Sequence, residues 1–490
     1  MRRRSCCDFY RVRRKRNIMV YTAAVIIVIF LASTQFILIS SLTSVLKQSD
    51  VIEQLEINVT HLTNREVTAK KVPSYIKTKT DRIYLFSAII AHIENDHALK
   101  HNQTQNITEV SPTAIVTGWE HKSGSSHDFK CCFRLKNGTF VSVLSWNKSH
   151  WLLLEIFNLQ AKQFKCPVNF DIKDLSSITI LADRNETCPE ENVFYVTPTI
   201  IKHIKRRPKN IRSRNVGVCV KLTYGSLDAQ RLIEWFEIHK LFGVDKVIAY
   251  TYQLNSKAAK VLKFYERSGM AQVYDFDFPE KDIIKRNIGD ENDQYWNDEQ
   301  VVLFDCQERL RNYDYVAVVD TDEFLLPRTK HFKNAWKIYL ENKFRKDNVG
   351  ALFFSVRIHA YTWGPSNKSH PLHIGRYSNC TFPMYDRTKG VYMPSRIRQG
   401  SVWTHGAYPL QGFTSYVANM GEAVIHHYRH CRKEWLKTSS TRFRLSEMYL
   451  FHMKNMTKCT DFRRSHSDVI GQLADTIKND VFRRLEEIEL

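Results

Sequence analysis

Val316-Ala317-Val318-Val319-Asp320-Thr321-Asp322-Glu323-Phe324-Leu325-Leu326-Pro327 decides how the rest of the chain is read. Its first four residues are apolar and mostly β-branched, which predicts a buried strand. Two aspartates follow at i and i+2, where that strand runs out. Ligands gather at the carboxyl ends of strands in open α/β sheets. Two carboxylates so close together stay ionised in a half-buried site only beside a counter-charge. Oxygen ligands of this kind suit Mg²⁺ or Mn²⁺, and such an ion bridges to phosphate. If the extended backbone persists, both side chains point to one face. If it breaks after Asp320, Asp322 turns into the cleft alone. The bland alternative is a solvated acidic turn after a core strand.

Upstream of this stretch, strand and helix patterns alternate. Val216–Leu222 reads as a strand and Asp228–Leu241 as a helix, with Leu232, Trp235, Phe236 and Ile238 on one face. Gly243 sits where a helix stop belongs. Lys246–Tyr252 is a strand, Ser256–Ser268 a helix ended by Gly269, and Ala271–Tyr274 a strand. Asp298–Asn312 is a helix leading into Val316. This alternation predicts an α/β fold around a mostly parallel sheet with right-handed crossovers. Trp235 and Phe236 read as core.

Residues 81–200 have another texture, with short runs such as Ile83–Ile90, Thr139–Trp146 and Trp151–Phe157 between turns. They predict a small β-rich domain. The basic stretch Lys202–Arg214 marks a boundary before the α/β domain at 214–460, and a helix is expected within 461–490.

At the other end, residues 1–17 form a basic tail and 18–42 an apolar run long enough to span a bilayer. The run is too long for the core of a signal peptide. The positive-inside rule puts the tail in the cytosol and all that follows on the other side. Residues 43–80 are polar and read as a stem. Nine acceptor sequons follow the anchor, at Asn58, Asn102, Asn106, Asn137, Asn147, Asn185, Asn367, Asn379 and Asn455. They agree with a secretory-pathway protein. Nine cysteines on that side imply disulfides with one thiol left over, and their pairing is not deducible.

The chain has 490 residues and a formal charge of +21. Its length allows two or three domains. Residues 1–16 hold eight Lys/Arg against one Asp, so the tail accounts for a third of the excess. No zinc-finger spacing, ribonucleoprotein motif or basic region before heptads is present, and nucleic acid is not expected as a partner. No His-Glu-x-x-His or nucleophile motif supports a metal-dependent hydrolase.

Four segments together carry a resemblance. They are Glu234–Val244, Gln300–Arg311 with Asp305-Cys306 inside it, Asp320–Phe324, and Ala423-Val424-Ile425-His426-His427-Tyr428-Arg429. In their order and spacing the chain resembles glycosyltransferase family 92 over roughly 214–460. The resemblance implies a GT-A fold, a nucleotide-sugar donor, a divalent metal such as Mn²⁺ and a DxD motif at Asp320 and Asp322. It also implies inverting transfer of galactose from UDP-galactose to a glycan acceptor. The single N-terminal anchor with lumenal bulk resembles the type II topology of Golgi membrane enzymes. One departure is the turn after the second strand, where relatives tend to have an Asp- or Asn-containing turn and this chain reads Tyr250-Thr251-Tyr252-Gln253-Leu254-Asn255.

A site of this kind must hold a pyrophosphate, neutralise the leaving nucleotide and orient one hydroxyl. Asp320 and Asp322 are the expected metal ligands, with Asp322 the direct one. His405 is the first choice for a third ligand and His427 the alternative. Either can equally be a core histidine bonded to backbone. Arg396 and Arg429 are candidates for the donor phosphates. Glu323 is expected to support the metal ligands from behind. Asp386 and Glu422 are weak candidates for the base that inverting transfer requires. The competing function is a membrane-anchored glycan-binding protein that keeps the fold without catalysis.

Overall fold

The computed structural model describes residues 75–79, 82–93, 111–121, 128–149, 159–201, 214–279, 291–345, 348–430 and 464–490. The tail, the anchor read at 18–42 and nearly all of the stem lie outside these residues. So do Trp151–Phe157, the basic stretch up to 213, Cys431, Cys459 and the sequons at Asn58, Asn102, Asn106 and Asn455. Among the described residues no helix is long and apolar enough to cross a membrane.

Nine described strands precede residue 214. They are β1 (Ile76–Lys77), β2 (Ile83–Ile93), β3 (Ser111–His121), β4 (Lys130–Leu135), β5 (Phe140–Leu144), β6 (Trp146–Ser149), β7 (Leu159–Pro167), β8 (Leu175–Leu181) and β9 (Thr199–Ile200). One sheet runs β1-β2-β3-β7-β6 with β9 beside β2, and a second runs β5-β4-β8. Leu85, Val116, Phe164, Phe133 and Ile180 fill the space between them. Cys131–Cys166 joins β4 to β7 across that space, and Cys132–Cys188 ties β4 to the loop after β8. Successive strand residues face opposite ways. The other face of the larger sheet therefore offers Tyr84, Phe86 and Trp119, and these pack into the second layer described next.

That layer has β10 (Val216–Tyr224), α1 (Ala229–Leu241), β11 (Lys246–Tyr252), α2 (Ser256–Arg267), β12 (Ala271–Asp275), α3 (Glu291–Arg309) and β13 (Tyr315–Val319). The Asp228 carboxylate accepts the Arg231 N–H at 2.8 Å and starts α1. Gly243 and Gly269, at φ +89° and +79°, take the left-handed conformation that ends α1 and α2. The chain continues through β14 (Glu323–Pro327), α4 (Ala335–Phe344), β15 (Val349–Ala360), α5 (His373–Arg376), β16 (Asn379–Thr381) and β17 (Met384–Tyr392). It closes with β18 (Ile397–Trp403), β19 (Gly406–Pro409), β20 (Thr414–Val417), β21 (Ala423–Arg429), β22 (Arg464–His466) and α6 (Asp468–Glu487).

The main sheet runs β12-β11-β10-β13-β17-β15-β21-β14, with β20 beside β15. The four strands read from the sequence are parallel. The later ones mix directions: β17 is antiparallel to both β13 and β15, and β14 is antiparallel to β21. The sheet is thus mixed, because no helix long enough for a parallel crossover separates β13 from β14. Only Asp320, Thr321 and Asp322 lie between them, yet three strands intervene in pairing order. Four strand spacings are about 19 Å, and the connecting backbone reaches at most about 14 Å. The sheet must fold back on itself. β15 carries the change of partner: residues 351–354 pair with β17, the register shifts before Val356, and 356–360 pair with β21 while Val356 still meets Met384 of β17. A third disulfide, Cys219–Cys306, joins β10 to α3, and Cys380 is a buried free thiol. The sequon residues Asn137, Asn185 and Asn367 are exposed. Asn379 lies in β16 with its Oδ1 3.1 Å from His466 Nδ1.

Candidate active site

The apolar β13 ends at Val319, and the chain turns at once. Glu323 N–H donates to Asp320 O at 3.1 Å, and Asp320 N–H donates to Glu323 Oε2 at 2.9 Å. From beneath, the indole N–H of Trp235 on α1 donates to both Asp320 O (3.1 Å) and Glu323 O (3.0 Å). The extended geometry is therefore broken after Asp320, and the two aspartates go to different partners.

Asp320 faces two buried lysines. Its Oδ1 is 3.2 Å from Lys221 Nζ and its Oδ2 is 2.8 Å from Lys389 Nζ. Lys221 sits at a register shift of β10, between Val220 and Leu222. Lys389 comes from β17 and lies 3.0 Å from Glu323 Oε2 as well. Asp322 instead lies 3.3 Å from His427 Nε2, while His427 Nδ1 is 3.4 Å from Glu323 Oε1. The antiparallel register of β14 and β21 causes this, because it sets Glu323 directly opposite His427. Tyr428 N–H donates to Asp322 O at 2.9 Å and fixes the approach of the two segments.

Burial by itself raises a carboxyl pKa. At Asp320 burial is outweighed by Lys221 and Lys389, which hold the group well below the usual carboxylate range. At Asp322 burial is outweighed by His427 and Arg429, and the pKa is lowered. At Glu323 burial and the two neighbouring aspartates win over Lys389, and the pKa is raised. The turn thus holds two firmly ionised carboxylates and one that resists ionisation until a further positive charge arrives.

Asp322, Glu323 and His427 place ligand atoms within 4.8 Å of one another. Two carboxylates and an imidazole form a hard, mixed O/N set that fits Mn²⁺ and offers no thiolate. This set differs from the sequence expectation. Asp320 is engaged by lysines, Glu323 joins directly, and His427 takes the place given first to His405. The His405 Nδ1 lies 3.0 Å from Thr388 O. Its outer edge is exposed, but packing and then Lys389 and Lys221 push its pKa down to about 3.

The other candidates separate. Arg396 Nη1 donates to Val349 O at 2.8 Å and Phe344 O at 3.3 Å, and its guanidinium lies over Phe413. It braces backbone away from the turn. Arg429 follows His427 on β21, and its charge reaches Asp322. Glu422 sits at the far end of the β14–β21 pair, 2.5 Å from Lys343 Nζ. Asp386 belongs to β17, and its side chain lies outside the described residues. Sequence reading missed Lys221, Lys389 and the indole of Trp235. The available signal was a lysine inside an otherwise apolar strand, Val220-Lys221-Leu222.

Comparison with known proteins adds three findings. Residues 214–468 match the model of glycosyltransferase family 92. Beta-1,4-galactosyltransferase galt-1 of Caenorhabditis elegans is 22% identical over 300 residues, which span 59% of this chain and 66% of that relative. Among solved structures, glucosyl-3-phosphoglycerate synthase from Mycobacterium tuberculosis, in complex with Mn²⁺, uridine-diphosphate and phosphoglyceric acid, aligns at 12% identity. That alignment covers 54% of this chain and 92% of the other, with a TM-score of 0.25. HddC from Yersinia pseudotuberculosis aligns at 9% identity over 44% of this chain and 93% of its own, with a TM-score of 0.22.

Proposed function

The chain belongs to glycosyltransferase family 92, and from that membership we propose that it transfers a hexose, galactose from UDP-galactose, to a glycan acceptor. The observation that carries this reading is the Asp322–Glu323–His427 set at the end of β13, beside buried lysines. Asp322, Glu323 and His427 would hold a divalent cation, Mn²⁺ by the chemistry of the set. When bound, that ion supplies Lewis-acid stabilisation of the leaving diphosphate. Trp235 holds the turn carbonyls so that Asp322 keeps one orientation. Lys221 and Lys389 keep Asp320 anionic and stop it from competing for the cation. In the inverting reading a carboxylate takes the proton of the acceptor hydroxyl. Asp386 and Glu422 remain the two candidates; Glu422 is paired with Lys343, and the Asp386 side chain lies outside the described residues.

In the same reading the chain is a single-pass type II protein of the Golgi membrane with its catalytic part in the lumen. The basic tail before residues 18–42 and the sequons after them support this. So do three disulfides, which persist in an oxidising compartment.

The test is a panel of nucleotide sugars assayed for Mn²⁺-dependent donor hydrolysis and for transfer. UDP-galactose should be turned over fastest, and chelation should stop it. Glycan binding with no donor turned over would replace the enzyme by a lectin-like protein of the same fold.

A further inference from the structure

This inference rests on the donor reading above and concerns its leaving group. Arg231 lies in the first turn of α1, one turn before Trp235, whose indole holds the Asp320–Glu323 turn. Side chains four apart share one helix face. Arg231 therefore lies over the same turn, displaced toward the end of α1 that follows the carboxyl end of β10. Its Nη2 donates to the Tyr361 hydroxyl, and its guanidinium sits 4.9 Å from the Tyr361 ring centroid. Tyr361 comes from the other wall. It follows Ala360, the last residue of β15, which pairs with Arg429, two residues past His427. Asp322 is near enough to act electrostatically on the Tyr361 phenol. Arg231 of α1 thus meets Tyr361 at the end of β15, within electrostatic reach of Asp322.

Among the described residues, the Tyr361 hydroxyl is the hydrogen-bond partner of the Arg231 guanidinium, and no carboxylate pairs with it. A guanidinium held by a neutral phenol keeps most of its five donors. Its planar fork matches an anion that presents two oxygens. Of the candidates chosen from sequence, Arg396 is engaged by the Val349 and Phe344 carbonyls, whereas Arg429 acts on Asp322 from β21. We propose that Arg231, oriented by Tyr361, binds the diphosphate of the nucleotide-sugar donor and stabilises it as it leaves. The bond from the anomeric carbon to the diphosphate oxygen breaks, and the electron pair stays on that oxygen, against the guanidinium. The acceptor oxygen bonds to the anomeric carbon, and its proton passes to a carboxylate base.

The experiment uses the full chain in detergent with Mn²⁺ present. UDP binding is measured by calorimetry, uridine binding by ligand-observed NMR, and transfer from UDP-galactose by initial rates, for wild type, Arg231→Met, Arg231→Lys and Tyr361→Phe. Arg231→Met should weaken UDP about 30-fold, leave uridine unchanged and lower kcat/KM by about 10²- to 10³-fold, the scale of a lost transition-state contact. Arg231→Lys, which keeps the charge but not the fork, should lose roughly tenfold. Tyr361→Phe should lose about threefold to tenfold, as an orienting partner does. UDP bound equally by wild type and Arg231→Met overturns the inference, and a raised KM for the glycan would then assign Arg231 to the acceptor. An equal loss of UDP and uridine in both Arg231 variants would reduce it to a folding role. Wild type that binds no UDP would remove the donor reading itself.

Discussion

Asp320 faces two ammonium groups, whereas Asp322 faces an imidazole, and this difference sets what each can do. Removing one partner of a buried ion pair leaves the others uncompensated. Asp320→Asn should therefore lower stability by on the order of 3 kcal/mol, read as a lower Tm. Its carboxyl is held below its unfolded value by burial outweighed by lysines. The stability it contributes is present above the unfolded pKa of about 3.9 and is lost as pH falls through the lower folded value. Asp322→Asn and His427→Ala should lower Tm less than Asp320→Asn does, and should weaken Mn²⁺, followed by EPR, at least about tenfold, with transfer down about 10²-fold. His405→Ala should keep its Mn²⁺ affinity. A large loss in that variant alone would return the third ligand to His405. The two aspartates were legible in the sequence as a pair at a strand end. Their different partners were not, because Lys221 and Lys389 lie far from them in sequence.

At the scale of elements, β21 serves two sites by strand alternation. His427 faces the candidate active site, and His426 faces the opposite side. A carbonyl can only accept, so His359 Nδ1 donates to Tyr377 O at 2.5 Å. Its neutral Nε2 then accepts from His426 Nδ1 at 2.8 Å. Burial presses the His359 pKa down to about 3. The unfolded chain takes up a proton near pH 6.5 and the folded chain does not. Stability should therefore fall as pH drops from about 6.5 toward 3. Thermal unfolding between pH 7 and 5 checks this, and His359→Asn should flatten the slope. On α1, Trp235→Phe keeps the ring and removes the N–H that holds the turn. It should cost roughly 1–2 kcal/mol in stability and weaken Mn²⁺ binding with it. Unchanged Mn²⁺ affinity would make Trp235 core alone.

Across the whole molecule, the β-rich segment and the α/β segment share one apolar cluster. Phe86 and Trp119 pack with Tyr250, Phe276 and residues of α3 such as Phe304. The boundary read at the basic stretch before 214 is therefore bridged by a shared apolar cluster, beside the separate core of each segment. A fragment beginning at residue 214 exposes that cluster and should be recovered insoluble or with a Tm well below that of the longer chain. At the other end, α6 buries Ile470, Leu473, Ile477 and Val481 in the cluster that holds Trp235 and Phe236. Arg484 Nε also donates to Glu237 of α1 at 3.1 Å. Ending the chain at residue 467 should prevent folding. A soluble product with native Tm from either fragment would contradict this packing.

By itself the sequence determined the α/β alternation, the ends of α1 and α2 at Gly243 and Gly269, the family, and the acidic pair after an apolar strand. All of these are written in neighbouring residues, through periodicity, turn chemistry and short motifs. Tertiary structure alone decided which cysteines pair, that the later strands mix directions, that His427 and not His405 meets Asp322, and that Arg231 meets Tyr361. Those outcomes depend on the change of partner along β15 and the register of β14 against β21. A register is a relation between segments a hundred residues apart. One residue of slip would turn every side chain of β21 to the other face, and no local pattern in either segment records which register wins.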